Sequence, residues 1–327
     1  MQFRFLNEAD VRSVLTVGDL LEPMEQALAG FSAGRVVQPV RSVVPVAAGP
    51  GLFGVMPADF PDRQALGAKL VTVFGGNREK GLPSHLAIVV LLDEHTGQLR
   101  AVMDGRYITE IRTAAVSAVA ARHLARADAR ELAILGSGVQ ARSHLLAMAL
   151  VRTLAAVRVW SPNRAHRESF VAEMQRHAPC RITACAGAEE CVRDADLVVA
   201  ATSSKTPVIL SGAVEDGAHV TGVGACRPDE RELDPLLVRR GRLFVDSRDA
   251  ALQEAGDVLL AIEEKTFGPD VIESEIGNVI AGRTPGRRSD RDVTVFKSLG
   301  LAVEDLAAAD LACSRAAERG VGRMVAL

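Results

Sequence analysis

A glycine-rich turn between an apolar strand and a helix constrains the fold of this chain more than any other feature. It reads ELAILGSGVQA over residues 131–141. Gly136 permits the tight bend, Gly138 lets backbone N–H groups approach a pyrophosphate, and Ala141 takes the place of the pattern's third glycine. The helix that follows presents its positive dipole end to an anion. Because a second apolar strand follows at 157–160, we interpret the turn as a dinucleotide site rather than as an ordinary loop.

Strands and helices alternate from residue 131 to about residue 244. The strand-like segments are ELAIL, AVRVW, RITAC, LVVAAT, HVTGV and RLFVD, and amphipathic stretches such as residues 165–177 separate most of them. Helical patterns follow at 250–264 and 272–281. This alternation predicts an α/β fold with a doubly wound parallel sheet of the Rossmann type, which we place at residues 128–298.

The N-terminal part has a different pattern. Residues 7–31 have a helical pattern. Asp10 or Thr16 are candidate N-caps, and Gly34 lies near the end of the second helical segment. Short β-branched segments at 40–46, 66–74, 85–93 and 99–103 then predict a largely antiparallel sheet, and an alanine-rich helix follows at 108–124. We predict an α+β domain over residues 1–127. The last helix, within 299–327, is expected to return to it, because the Rossmann sheet is complete without that helix.

Charge and cysteine content exclude several classes of function. The chain carries 38 basic and 41 acidic residues, a net charge of −3, so it has no field that would favour nucleic acid or an anionic membrane. Its five cysteines are odd in number and lack CxxC spacing, which indicates a reduced compartment and no metal site of that kind. No apolar run reaches the length of a membrane span, and charged residues occupy the first ten positions. We therefore expect a cytoplasmic protein.

The end of the second Rossmann strand bears on the choice of cofactor. In NAD-binding sheets a carboxylate stands there and binds the ribose hydroxyls. Here the segment reads WSPNR, and Ser161, Asn163 and Arg164 supply donors and one positive charge instead. This predicts NADP(H) as the preferred cofactor, with NAD(H) possible. The alternative is that Arg164 is only a solvated residue in the first turn of the next helix.

Three cations of the N-terminal part, Arg41, Lys69 and Arg112, lie in apolar sequence. A charge in such surroundings must be paired, because leaving it unsolvated costs several kcal/mol. A structural salt bridge explains any one of them alone. Together, with few carboxylates in the same strands, they favour a pocket for a substrate carboxylate. His85 lies beside a strand and is either a structural residue or a proton donor.

Several long motifs now identify a resemblance. They are LPSHLAIVVLLDEHTGQLRAVMDGRYITEIRTAAVSAVAARHL, GSGVQARSH, VGACRPDERELD, VDSRDAALQEAGDVLL and TVFKSLGLAVEDLAAA. The chain resembles the ornithine cyclodeaminase/mu-crystallin family over nearly its whole length, and the mu-crystallin branch, of ketimine reductases, most closely. The resemblance implies a substrate and dimerisation domain completed by the C-terminal helix, a Rossmann domain, and a homodimer.

The resemblance also implies roles for individual residues. Arg41, Lys69 and Arg112 match ligands of the substrate carboxylate, and Lys69, His85 or an ordered water would supply protons to nitrogen. The implied cofactor positions are Ser84, His85, Arg112, Thr113, Gly136, Ser137, Gly138, Val139, Gln140, Ser161, Asn163, Arg164, Thr202, Ser203, Val223, Glu254 and Ser298.

One position separates two activities within the family. Cyclodeaminases carry an aspartate where this chain has Cys226, and a thiol cannot take over the work of a carboxylate. We therefore predict an NAD(P)H-dependent reductase of small α-imino acids, such as cyclic ketimine carboxylates. An ammonia-releasing ornithine or lysine cyclodeaminase is the second choice. An amino acid dehydrogenase and a non-enzymatic binding protein also fit the pattern.

Overall fold

The computed structural model describes residues 2–47, 49 and 51–327 and divides the chain into two compact units. The first unit comprises Met1–Arg112 and Gly300–Leu327, and the second comprises Thr113–Leu299. The division falls inside the alanine-rich helix, earlier than the boundary expected at residue 127. The C-terminal helix belongs to the first unit.

In chain order the helices and strands are β1 (Gln2–Leu6), α1 (Glu8–Val14), α2 (Leu21–Ser32), β2 (Ser42–Val46), β3 (Gly51–Phe60), β4 (Ala65–Phe74), β5 (His85–Leu92), β6 (Leu99–Asp104), α3 (Arg106–Leu124), β7 (Glu131–Leu135), α4 (Val139–Val151), β8 (Ala156–Trp160), α5 (Arg164–Met174), β9 (Arg181–Ala184), α6 (Ala188–Val192), β10 (Leu197–Ala200), β11 (His219–Gly222), α7 (Pro235–Arg240), β12 (Arg242–Val245), α8 (Arg248–Glu254), α9 (Gly256–Glu263), β13 (Ile272–Glu275), α10 (Ile276–Ile280), β14 (Thr294–Lys297), α11 (Ala302–Arg319) and β15 (Arg323–Ala326).

The first unit contains a seven-stranded sheet in the order β15-β1-β6-β5-β4-β3-β2. Only the β1–β6 pair is parallel, so the prediction of a largely antiparallel sheet is confirmed. β3 was not predicted as a strand, because glycine and proline residues such as Gly54 and Pro57 lower its β propensity. It forms because β2 and β4 supply hydrogen-bonding partners along both of its edges.

The two faces of this sheet differ. One face carries buried residues, including Met56 and Val89, and α11 packs against β3, β4 and β5 through its alanine-rich side. On the other face, Leu86 and Ile88 of β5 are 42% and 43% exposed, and Val44 of β2 is 54% exposed. An apolar sheet face of this kind is unusual on a monomer surface.

The caps of the first helices correct one expectation. Asn7 is the N-cap of α1: its side chain accepts a hydrogen bond from the Asp10 amide, and the Asp10 carboxylate accepts one from the Asn7 amide. The prediction of Asp10 as the N-cap is therefore wrong, since Asp10 is the third residue of a capping box. Thr16, the other candidate, does cap the helical segment formed by the 3-10 turn Gly18–Leu20 and α2. Its hydroxyl accepts a hydrogen bond from the Asp19 amide at 3.4 Å, and its amide donates one to Asp19 Oδ2 at 2.8 Å. Gly34 follows α2 with a φ of +71°.

The second unit contains an eight-stranded sheet in the order β13-β12-β14-β11-β10-β7-β8-β9. Every neighbouring pair is parallel, which confirms the doubly wound parallel sheet. The chain proceeds outwards from β7 through β8 and β9, then returns to β10 and continues to the other edge. Ligands of such sheets bind at this reversal, at the carboxyl ends of the strands.

The C-terminal third of this unit departs from the predicted helices. Residues 250–264 form two helices, α8 and α9, which Ala255 separates with a ψ of 97°. Residues 272–275 are the strand β13, so the helix predicted from residue 272 is wrong there and begins only at α10. β13 forms because β12 offers it an unpaired edge. Among the helices in the described part of the chain, none has the length and apolar character that crossing a bilayer requires.

Candidate active site

A buried cluster of charges in the first unit contains the predicted carboxylate ligands. Lys69 lies in the middle of β4, between Met56 of β3 and Val89 of β5, and is 2% exposed. Arg112 lies on α3 and is 4% exposed. Arg41, immediately before β2, donates from Nη2 to the carbonyl of Gly300 at 3.2 Å. The fold thus brings together three cations that are far apart in sequence.

Two carboxylates in the first turn of α11 meet these cations. The Lys69 Nζ lies 2.5 Å from Asp305 Oδ2. Arg112 donates from Nε to Asp305 Oδ1 at 2.9 Å and from Nη1 to Glu304 Oε2 at 2.8 Å. Glu304 and Asp305 are fully buried. Their negative charges are also stabilised by the positive end of the helix dipole.

The C-terminal helix therefore changes the interpretation made from sequence. Few carboxylates lie in the same strands as the cations, but α11 brings two of them in from the far end of the chain. Lys69 and Arg112 therefore have structural partners, and Arg41 joins the same cluster through its hydrogen bond to the Gly300 carbonyl. The acidic pair was missed, although two adjacent carboxylates within an alanine- and leucine-rich helix are themselves a signal.

Backbone geometry holds this cluster tightly. Gly300 has a φ of +82°, and a Cβ built on it would lie 2.5 Å from Arg112 Nη1. A side chain at this position would therefore displace the guanidinium. At the start of α11, Gln38 Oε1 accepts a hydrogen bond from the Val303 amide at 2.8 Å, which fixes the turn that carries the two carboxylates.

Burial and neighbouring charges shift the pKa values of two candidate proton donors. Burial lowers the pKa of Lys69 to about 8; Asp305 opposes this shift, whereas Arg112 and Arg41 add to it. Burial, with Lys69 and Arg112, lowers the pKa of His85 to about 4. Burial alone would raise the pKa of Asp305, but Arg112 and Lys69 hold it below its ordinary value. At pH 7 Lys69 is charged and His85 is neutral.

His85 and Ser84 lie at the start of β5. The Ser84 carbonyl accepts a hydrogen bond from the Phe74 amide at 2.8 Å, and His85 pairs with Val73 across the ladder to β4. Lys69 and Arg112 both contribute to the lowered pKa of His85.

The glycine-rich turn of the second unit fits a pyrophosphate. Gly136 has a φ of +115°, and a Cβ on it would lie 2.3 Å from the Ala201 carbonyl oxygen, so the turn after β7 touches the turn after β10. Gly138 is the N-cap of α4, makes no side-chain cap, and would have open space around a Cβ. No side chain of the cap residue therefore covers the first amides of α4, which can donate hydrogen bonds to an anion. Val139, the first residue of the helix, is 49% exposed.

Several predicted cofactor residues surround this turn. Ser137 donates to Ser161 Oγ at 3.0 Å, and Gln140 accepts a hydrogen bond from His144 Nδ1 through its carbonyl oxygen at 2.7 Å, if that ring nitrogen carries the proton. Arg142 was not predicted, but its Nη1 donates to the carbonyls of Ser137 and Gly138. It thereby orients the peptide groups of the turn, and its place in the GSGVQARSH motif is the signal that could have identified it.

The residues after β8 make mostly local contacts. Asn163 caps α5 by accepting from the His166 amide at 3.2 Å. Arg164 is 82% exposed in its side chain and forms an ion pair with Glu168 at 2.7 Å. No carboxylate occupies residues 160–164, the end of the second strand.

The remaining predicted cofactor positions lie where strands or helices of this unit end. Thr202 and Ser203 follow β10, Val223 follows β11, Ser298 follows β14, and Glu254 ends α8. Thr113, on α3, is the first residue of the unit. Ser298 donates from Oγ to Asp246 Oδ2 at 3.3 Å, and the Val223 amide donates to the Ala200 carbonyl at 2.9 Å. Three neighbouring strand ends of the parallel sheet thus carry Thr202, Ser203, Val223 and Ser298, whereas Glu254 and Thr113 lie on helices.

Comparison with known proteins identifies the family of this chain. The profile of the ornithine cyclodeaminase/mu-crystallin family matches residues 1–320. Ketimine reductase mu-crystallin of Mus musculus is 45% identical over 311 residues, which cover 94% of this chain and 95% of that protein.

Two solved structures have the same fold. One is Thermococcus litoralis Δ1-pyrroline-2-carboxylate reductase in complex with NADH and L-proline, with a TM-score of 0.96, 35% identity, and coverage of 99% of this chain and 100% of that one. The other is an archaeal alanine dehydrogenase dimer with bound NAD, with a TM-score of 0.95, 29% identity, and full coverage of both chains.

Proposed function

Because the chain belongs to the ornithine cyclodeaminase/mu-crystallin family, we propose that it is an NAD(P)H-dependent reductase of small α-imino acids. The substrate class is a cyclic ketimine carboxylate or a related imine. The mouse relative is a ketimine reductase, and the Thermococcus litoralis relative of known structure is a reductase of Δ1-pyrroline-2-carboxylate.

The convergence of three cations in one cluster is the observation that supports this proposal most directly. Asp305 and Glu304 hold Lys69 and Arg112 in place, and Arg41 lies beside them through its hydrogen bond to the Gly300 carbonyl. A substrate carboxylate would bind to these cations, because charge-assisted hydrogen bonds in a buried site are stronger than neutral ones.

Lys69 is the residue best suited to give a proton to the substrate nitrogen. Its pKa of about 8 keeps it protonated at pH 7 while making it a stronger acid than an ordinary lysine. His85, with a pKa of about 4, is neutral at that pH and is better suited to accept or donate a hydrogen bond than to supply a proton. We assign Lys69 as the proton donor and, together with Arg41 and Arg112, as a ligand of the substrate carboxylate.

Gly136, Ser137 and Gly138 would hold the cofactor pyrophosphate together with the first amides of α4, and the cofactor, when bound, supplies the hydride for the C=N carbon. The protein's own contribution is to hold the carboxylate and the nitrogen of the imine in one orientation. Positioning of this kind accounts for a large part of the rate in two-substrate reactions.

We further propose that NADP(H) is preferred over NAD(H). The support is the lack of a carboxylate at residues 160–164, together with the exposed guanidinium of Arg164. Its ion pair with Glu168 lies on the surface, where such pairs contribute little, so a 2′-phosphate could compete for it.

Cyclodeamination fits less well than reduction. The thiol of Cys226, at the position where the resemblance puts an aspartate, donates to the Val223 carbonyl at 3.4 Å. A neutral thiol is a weak acceptor and cannot act as the carboxylate that handles the departing amino group. We also propose a homodimer, in which a second copy covers the apolar sheet face of Val44, Leu86 and Ile88.

A steady-state assay tests the proposed function. The purified protein is given NADPH or NADH with Δ1-piperideine-2-carboxylate or Δ1-pyrroline-2-carboxylate, and cofactor oxidation is followed at 340 nm. We expect turnover of at least one imino acid, and no turnover of any α-imino acid would refute the proposal. Ammonia released from ornithine with only catalytic NAD would favour the lyase instead. Light scattering tests the dimer, which Ile88→Glu should dissociate.

A further inference from the structure

A fully buried carboxylate, Glu232, joins two strand ends of the second unit. Its Oε2 accepts hydrogen bonds from the Thr202 amide at 3.1 Å and the Thr202 hydroxyl at 3.0 Å. Its Oε1 accepts from the amides of Gly224 and Ala225. Thr202 follows β10 and Gly224 follows β11, so one side chain holds the turns after two neighbouring strands.

The two turns touch each other at this carboxylate. A Cβ built on Gly224 would lie 2.1 Å from the Thr202 carbonyl oxygen and 2.5 Å from Glu232 Oε2. No side chain fits between the turns, so a shift of one of them would move the other.

Glu232 is itself held by a buried ion pair. Asp257 Oδ1 accepts from the amides of Glu232 at 2.8 Å and Leu233 at 2.9 Å. Asp257 Oδ2 lies 2.8 Å from the Nζ of Lys297, the last residue of β14. Three strand ends, those of β10, β11 and β14, are thus connected through Glu232 and Asp257.

We propose that Glu232 is a positioning residue of the cofactor site, which sets the conformation of the turns at Thr202 and Val223. The inference rests on the proposed function only in taking those turns, and Ser298 after Lys297, as cofactor contacts. Glu232 is fully buried, so it acts through the turns and does not touch the cofactor. Four donors converge on it, and a carboxylate has acceptor sites for all of them.

The substitution Glu232→Gln tests the proposal with little change in size. A glutamine keeps one acceptor oxygen and directs an NH2 group towards donors of the other turn, so one turn loses its partner. We expect the Kd for NADPH to rise about tenfold, since a hydrogen bond to a charged group contributes roughly one tenfold step or more in affinity. Hydrogen exchange should become faster at the amides of Thr202 and Gly224.

Asp196→Asn is the matched control. Asp196 also accepts hydrogen bonds from two backbone amides, those of Arg130 and Glu131. It lies just before β10, however, at the amino-terminal ends of the parallel strands and not at their carboxyl ends. Its loss should lower the melting temperature without raising the Kd for NADPH more than twofold. If the two variants weaken cofactor binding equally, or if Glu232→Gln binds NADPH as the wild type does, Glu232 has only a structural role and the proposal is wrong.

Cofactor binding is measured by nicotinamide fluorescence and needs no turnover. A wild-type protein that binds NADPH but reduces no imino acid would therefore refute the proposed function and leave the test of Glu232 intact. A change in exchange at Thr202 and Gly224 with unchanged NADPH affinity would overturn the inference while leaving the reductase activity in place.

Discussion

The substitution Lys69→Met tests the charge argument most severely. It removes one cation from the buried cluster while keeping a side chain of similar length. The cluster would then carry one positive charge fewer, while Arg112 would still pair with Glu304 and Asp305. Asp305 would keep its hydrogen bond from Arg112 Nε at 2.9 Å, so the variant should still fold.

The magnitude follows from the kind of contact that is lost. A hydrogen bond to a charged group contributes about 1.5–3 kcal/mol, which corresponds to roughly 10- to 150-fold in affinity. We expect the Kd for L-proline, measured calorimetrically with saturating cofactor, to rise by that factor. The kcat/KM for the imino acid should fall by more, because Lys69 also supplies the proton. The Kd for the cofactor alone should not change.

The double variant Lys69→Met/Asp305→Asn separates charge from folding. It removes the negative charge of Asp305 together with the positive charge of Lys69, so the net charge of the cluster returns to that of the wild type. It should recover part of both the L-proline affinity and the thermal stability lost in the single variant. If Lys69→Met binds L-proline within threefold of the wild type, Lys69 is only the structural partner of Asp305, and our account of the site fails.

Three further outcomes are expected. Since the pKa of Lys69 is about 8, its charge is present below that pH and lost above it; the Kd for L-proline should therefore rise between pH 7 and 9.5, and a flat profile would contradict the assignment. The Cβ of Gly138→Ala would lie in open space, so this variant should melt like the wild type yet bind NADPH at least tenfold more weakly. Gly136 has a φ of +115°, and a Cβ on it would lie 2.3 Å from the Ala201 carbonyl oxygen, so Gly136→Ala should be destabilised. Arg164→Ala should reduce the preference for NADPH over NADH several-fold at an unchanged melting temperature; equal loss with both cofactors would refute its contact with a 2′-phosphate.

The Rossmann unit illustrates what local patterns can predict. Its five central strands are short runs buried on both faces, and turns or amphipathic helices separate the strands along the chain. The pattern of residues 131–246 therefore predicts the parallel sheet. The glycine-rich turn depends on backbone conformation and small size, which are properties of the residues themselves. The sequence did not predict β3 and β13, because their residues do not favour strands. These segments become strands only because neighbouring strands supply their hydrogen-bonding partners.

The charged sites show the limit of the same approach. Sequence determined that Arg41, Lys69 and Arg112 need partners, because the cost of burying a charge is a property of that charge. Only the tertiary structure decided which partners they have. Glu304 and Asp305 pair with Arg112, although they lie nearly 200 residues away along the chain, and Asp305 also pairs with Lys69. The tertiary structure likewise decided that Glu232 joins two turns. Electrostatic interactions depend on distance in space and on the exclusion of water, and the packing of α11 and of the strand ends fixes both.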